Sequence, residues 1–385
     1  MSSGLRVQYG LRCALPASLE TAIKTFDDAL YRALQLIVVA GRPGFGAAQW
    51  ELATLPLKRG GLGVLKASLL SKFSYVNSYE ATRNLQGLLI NGTPDNPGPA
   101  APSAQSAITD LATLLPETDP SNFAKKNPLS TWAKPLVDEQ ASKAQEGNPR
   151  ISKLLEVTAN SAASSWLLLP PDSSTLSPEE HRCLLKYRLG IPITYEHRCS
   201  RCLTVQDHWG DHAVNCARTP GVKQRHERLV HALGHLLSLA NIRHSINDSN
   251  VEFLGQDSQG NLRPADILIP NWNGERSLCI DVTIVSPFRR GSNLSSSELV
   301  AAAAARKRGK HEAACQQNGF DFLPFATSTF GDMDQDATTF LKRVQRALNE
   351  AQYLNMSPTL YADRLDRLVF AIQKGVARQL TARMS

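Results

Sequence analysis

The stretch Arg263 to Pro287, RPADILIPNWNGERSLCIDVTIVSP, decides how the chain reads. Two apolar runs, Ile267-Leu268-Ile269 and Leu278 to Val285, flank the polar turn Asn271-Trp272-Asn273-Gly274, and this pattern predicts a β-hairpin. Leu278, Cys279, Ile280, Val282, Ile284 and Val285 leave no continuous polar face, so both strands are expected to be buried. Each strand carries one aspartate, Asp266 early in the first and Asp281 inside the second. A buried carboxylate is costly unless it is paired or bound to a cation, and one Mg²⁺ held by both acids meets that requirement.

Working outward, an upstream strand is expected at Asn250–Gln256, where Glu252 is a weaker third carboxylate, followed by a turn over 257–261. Downstream, Ser295-x-x-Glu298 forms a capping box that starts a helix through the alanine run Ala301 to Ala305 into Arg306-Lys307-Arg308-Gly309-Lys310. Phe320–Gly331 reads as a further strand, and residues 336–355 and 358–383 as two amphipathic helices. The order βββαβα predicts a mixed sheet with helices packed on it. Phosphodiester hydrolysis needs a metal-activated water and a cation near the phosphate. Lys307 and Lys310, three apart on one helix, can supply that cation.

Four thiol and imidazole donors precede this region as Cys199-x2-Cys202-x9-His212-x3-Cys216. The spacing fits a Cys₃His structural Zn²⁺ site, with His208 as an alternative to His212. A helix then runs from Arg225 to Ala240, burying Leu229, Leu233, Leu236 and Leu237. Its His231 and His235 have zinc-protease spacing, but Ala232 stands where the catalytic glutamate belongs, so solvated or capping histidines are expected.

The N-terminal half carries less chemistry. An amphipathic helix is expected over 17–40 with Ser18 as its N-cap, then a turn at Gly60, Gly61 and Gly63 and a helix through Ser71–Leu85. No Gly-Lys-Ser/Thr follows those glycines, which argues for a structural turn over a phosphate loop. Nine of the 22 prolines fall between 91 and 150, which predicts a linker with one short helix near Ala107–Leu115. Helical patterning resumes at Ile151–Leu169, stops at Pro170-Pro171, and restarts in a capped helix from Ser177 to about Leu189. A net charge of +7 favours an acidic partner, nucleic acid first. Seven cysteines without a secretory-type segment suit free thiols, and no apolar run approaches the roughly 20 residues of a membrane helix.

Arg263-Pro264-x-Asp266, fourteen intervening residues and Asp281 resemble the core of the PD-(D/E)xK nucleases. With the upstream Cys-Cys-His-Cys knuckle and the Arg225-His226 pair, the pattern is similar to the restriction-like endonuclease region of non-LTR retrotransposon reverse transcriptase polyproteins. Leu55 to Val64, LPLKRGGLGV, resembles the region just after the polymerase palm of those elements. Thr283 stands where the nuclease lysine usually lies. In the retrotransposon branch the lysine is displaced onto the next helix, which points to Lys307 or Lys310 without choosing between them. Tyr361-Ala362-Asp363-Arg364 lacks the second aspartate of a polymerase site.

The resemblance implies an α+β multi-domain chain. Its expected parts are a thumb-like helical region at 1–90, a linker at 91–150, a helical connector at 151–198, and the zinc knuckle with its following helix at 199–240. A restriction-like nuclease core at 241–335 and C-terminal helices at 336–385 complete it. It further implies a Mg²⁺-dependent endonuclease that nicks one strand of a DNA target and lacks fingers and palm, the C-terminal part of a larger element. Asp266 and Asp281 would hold Mg²⁺, Lys307 or Lys310 would act as the catalytic cation, and Arg225, His226, Arg263, Arg306 and Arg308 would contact nucleic acid. Element RNA is a second expected partner, no membrane is expected, and a nuclear location follows from the substrate. The alternative is a catalytically inactive, zinc-containing nucleic-acid-binding remnant.

Overall fold

A computed structural model describes residues 2–92, 100–116, 134–160, 162–168, 176–247, 256–257, 260–261, 265–289, 293–351 and 358–383; side chains are described within these except at 2–6, 256–257, 260–261, 351 and 358–365. The chain is mixed α+β and divides into two compact units, Met1–Ile151 and Ser152–Ser385.

The first unit is helical. Its helices are α1 (Ser2–Cys13), α2 (Glu20–Val39), α3 (Ala47–Ala53), α4 (Ala67–Asn91), α5 (Pro102–Leu114) and α6 (Lys134–Gln145), while α7 (Pro149–Thr158) spans the division between units. Helix α2 starts after a short 3₁₀ turn, Pro16–Leu19, in which the Ser18 hydroxyl donates to Leu15 O, so Ser18 is not the cap the sequence suggests. Asp27 of α2 accepts hydrogen bonds from the Ala67 and Ser68 amides at 2.7 and 3.1 Å. A carboxylate remote in sequence thus caps α4, whose own N-cap residue, Lys66, makes no side-chain cap. The glycine turn is structural: the Gly61, Leu62 and Gly63 amides donate to Pro56, Ala53 and Leu55 carbonyls. A Cβ on Gly61 would fall 2.0 Å from Leu55 O, so only glycine fits there.

Where a linker with one short helix is expected, the described parts of 91–150 hold α5, α6 and the start of α7. Proline misleads here because Pro102, Pro135 and Pro149 lie in the first turn of a helix, where a missing N–H is harmless.

The second unit is built on a four-stranded mixed sheet. Helix α8 (Pro178–Arg188) opens with the Ser177–Glu180 capping box, followed by the short strands β1 (His197–Arg198) and β2 (Val205–Gln206) and helices α9 (Asp211–Asn215) and α10 (Pro220–Leu239). The sheet order is β3 (Ser245–Ile246), β6 (Ile267–Asn273), β7 (Arg276–Val285), β8 (Phe320–Ser328); β4 (Gln256–Asp257) and β5 (Gly260–Asn261) form a separate hairpin. The expected strand at Asn250–Gln256 lies outside the described residues except for Gln256, in β4. Strands β6 and β7 pair antiparallel with Ile267 opposite Ile280. Strand β8 runs parallel to β7, which requires a crossover, and α11 (Ser296–Gln317) supplies it.

Strand alternation sorts β7 onto two faces. Leu278, Ile280 and Val282 enter the main core with Leu229, Leu233 and Leu237 of α10, Phe340 and Val344 of α12 (Gln335–Ala351), and Leu368 and Ile372 of α13 (Pro358–Thr381). Cys279 turns to the other face with Cys315 of α11, Leu268 and Phe322. Asp281, two residues on, follows Cys279 and therefore faces α11. No described helix is long and apolar enough to cross a membrane.

Candidate functional site

The spacing of α11 prepares one half of the acid site. Val300, Ala304, Lys307, His311 and Cys315 recur at three- and four-residue intervals, so they share the stripe that faces the sheet. Val300, Ala304 and Cys315 pack there, which leaves Lys307 and His311 over Asp281. Lys307 Nζ lies 2.9 Å from Asp281 Oδ1 and 2.8 Å from Oδ2. His311, 4% exposed, brings its Nε2 to 3.5 Å from Asp281 Oδ2. Lys310 is exposed.

Asp266 sits one residue before β6, so continuing the antiparallel register sets it opposite Asp281. Its Oδ2 accepts the Val282 amide at 2.7 Å. His226 of α10 places Nε2 3.1 Å from the same oxygen and 3.0 Å from Val282 O. A carbonyl can only accept, so Nε2 carries the proton and His226 donates to both. Asp266 Oδ1 makes no hydrogen bond to the described residues, and its side chain is 20% exposed.

These neighbours pull the two acids apart in acidity. Burial lifts the Asp281 carboxyl to about 6, against the opposing pull of Lys307, and the charge of Asp266 adds to the rise. Burial acts on Asp266 too, but His226 and the Val282 amide outweigh it and hold that carboxyl below its ordinary value. His226 is lowered by burial, then raised further by its bond to Asp266, with a net rise. Two mutually repelling carboxylates with a free oxygen on Asp266 suit a divalent cation, whose charge would relieve the repulsion.

The other expected nucleic-acid contacts are placed differently. Arg225 is 2% exposed, and its Nη1 donates to Val214 O at 3.1 Å and Gln379 Oε1 at 2.7 Å, which makes it a brace between the knuckle and α13. A Cβ on Gly375 would lie 2.7 Å from Arg225 Cγ, so glycine lets the helix pair close over it. His226 turns inward to Asp266, Arg308 pairs with Asp336, and Arg306 is exposed. Glu252 and Arg263 lie outside the described residues, as do the side chains of 361–364. Sequence reasoning missed His311; its position four residues after Lys307 was the available signal.

The second centre is the knuckle. Cys199, Cys202, His212 and Cys216 bring their ligand atoms within 4.8 Å of one another and could hold a zinc ion. Cys202 Sγ lies 3.2 Å from His212 Nε2 and 3.7 Å from Cys216 Sγ, and Cys199 and Cys216 sulfurs are 4.0 Å apart. Sulfurs about 2.3 Å from a tetrahedral zinc stand about 3.8 Å apart, which agrees. The loop closes through Leu203, whose φ of 63° is left-handed, with its amide on Cys199 O. Asp207 accepts from the Trp209, Asp211 and His212 amides at 3.0, 2.9 and 2.7 Å and so aims His212. Hydrogen bonds from Thr204 chiefly pull the Cys202 thiol down to about 6, favouring the thiolate a metal needs. His208 instead faces Glu196 at 4.0 Å and stacks edge-on against Trp209.

No protein-family model matches the chain. No curated protein matches it either.

Proposed function

We propose that this protein is a Mg²⁺-dependent endonuclease that nicks one strand of a DNA target, of the restriction-like type in non-LTR retrotransposon polyproteins. The observation that carries the reading is the convergence of Asp266, Asp281 and the Lys307 amine, which come from the approach to β6, from β7 and from α11. Asp266 and Asp281 would hold the ion, which when bound activates water and offsets charge on the phosphate. Lys307, half-buried and already on Asp281, takes the part of the displaced lysine, to stabilise the phosphate or orient the water. His226 fixes Asp266 by donating to Oδ2, which leaves Oδ1 to the ion. His311 supports Asp281 from beneath. The knuckle, with zinc as its structural ion, would help grip the DNA.

A supercoiled-plasmid assay with Mg²⁺ tests this. Wild type should convert the plasmid to open circles, and Asp281→Ala should abolish the conversion. Equal nicking by both proteins would sink the assignment.

One observation favours a second reading: the Lys307 ion pair with Asp281 offsets charge that a metal would otherwise take up. A non-catalytic remnant of the same fold would bind DNA with a steep salt dependence and leave the plasmid intact with or without Mg²⁺.

A further inference from the structure

We propose that the cleft between the knuckle and the α10–α13 helix pair binds a backbone phosphate of a nucleic-acid strand, at a site separate from the paired acids. The cleft has a volume of about 280 Å³, near the lower end of the roughly 300–1,000 Å³ usual for ligand sites. Five arginines line it, Arg201, Arg225, Arg228, Arg378 and Arg383, and no aspartate or glutamate does. Arg378 is paired with Glu180 at 3.2 Å, but no acid offsets the other four among the described residues.

Two further features point the same way. The N-terminus of the 20-residue α10 opens here at Pro220 and Gly221, with no side-chain cap on Thr219 and no acid in its first turn. Unbonded amides at a helix start favour an anion. Arg225, 98% buried as the brace between the knuckle and α13, adds its positive charge to the wall of the cleft.

The site is not an extension of the paired acids. At about 100° per residue, Gln224 and Arg228 project from the side of α10 across from His226, which holds Asp266. The same two residues open into a second groove of about 930 Å³ along α10 and α13. Arg367 and Lys374 edge that groove, His231, His235 and Phe370 supply flat surfaces, and Glu227 is its one acid. A phosphate pocket running into a basic, aromatic-bearing groove suits a single strand better than a free anion.

The test is fluorescence anisotropy with a short labelled single-stranded oligonucleotide, using the full chain with zinc and without Mg²⁺. Arg201→Glu with Arg228→Glu should weaken binding about tenfold or more and lower the log-affinity against log-salt slope by about 0.7, the value for one lost phosphate contact on a single strand. Arg201→Lys with Arg228→Lys should stay within about threefold of wild type because the charge remains. Should the double glutamate variant fail to fold by circular dichroism, Arg383→Gln, a half-buried residue of the same cleft, is expected to weaken binding about threefold. Three results overturn the proposal: affinities unchanged in the folded variants, an equal loss in the distant control Lys342→Glu with Arg346→Glu, or complete competition by millimolar inorganic phosphate. The last would make the cleft a free-anion site. Nicking and strand binding are read separately, so failure here leaves the nuclease reading standing.

Discussion

The knuckle and the paired-acid site are built on opposite plans. The knuckle draws all four ligands from residues 199–216, and its scaffold is local: a two-stranded hairpin, a left-handed Leu203 and the Asp207 cap on α9. The acid site draws His226, Asp266, Asp281, Lys307 and His311 from four places along 86 residues, and only the packed sheet brings them together. A local site depends on its metal for order, whereas a dispersed site depends on the fold and can exist without its ion. That difference can be tested from both sides.

The largest expected effect is at the knuckle. Cys216→Ser should remove zinc, read by elemental analysis as a fall from one ion per chain to near none, and hydrogen exchange should show protection lost over 197–219. Structural zinc contributes about 10 kcal/mol or more to such segments, so partial retention of order there would break the contrast. Arg225→Ala comes next. It removes two buried hydrogen bonds and the contact with Gly375 on α13, and should cost about 3 kcal/mol in urea denaturation while zinc remains bound.

At the acid site, Lys307→Ala should cut plasmid nicking by about 100-fold, a loss of about 2.7 kcal/mol of transition-state stabilisation, and Lys310→Ala by less than about threefold. Equal losses would return the choice of lysine to where the sequence leaves it. Asp281→Asn is expected to stabilise the fold without Mg²⁺. Burial raises the Asp281 carboxyl from 3.8 to about 6, so its neutral form is favoured in the fold. Its stabilising contribution is complete below about 3.8 and is lost as pH rises through 6. The amide variant should therefore gain on the order of 2 kcal/mol over wild type at pH 8 in thermal melts, shrinking toward nothing near pH 4. The smallest effect is His208→Ala, which should leave zinc content unchanged and stability within about 0.5 kcal/mol.

Much of this was legible in the chain because it rests on neighbours in sequence. The Ser177–Glu180 and Ser295–Glu298 capping boxes, the hairpin around Gly274 and the four knuckle ligands all act within one or two turns of backbone. The prolines between 91 and 150 misled for the same local reason: composition says that proline disfavours structure, while position in a first turn makes it compatible with a helix. Arg225 was misread because charge suggests a surface, and only the fold shows the carbonyl and amide that receive it.

By itself, then, the sequence determined the local parts: which runs pair as strands, where helices begin, which four side chains can share one metal, and that two acids in apolar strands require a partner. The tertiary structure decided what no spacing contains. It set the Lys307 amine on Asp281, gave His226 to Asp266 and His311 to Asp281, and turned Arg225 inward. The physical reason is that strand alternation and helix period set which way a side chain points, while only the packing of α10 and α11 against β7 sets what it meets.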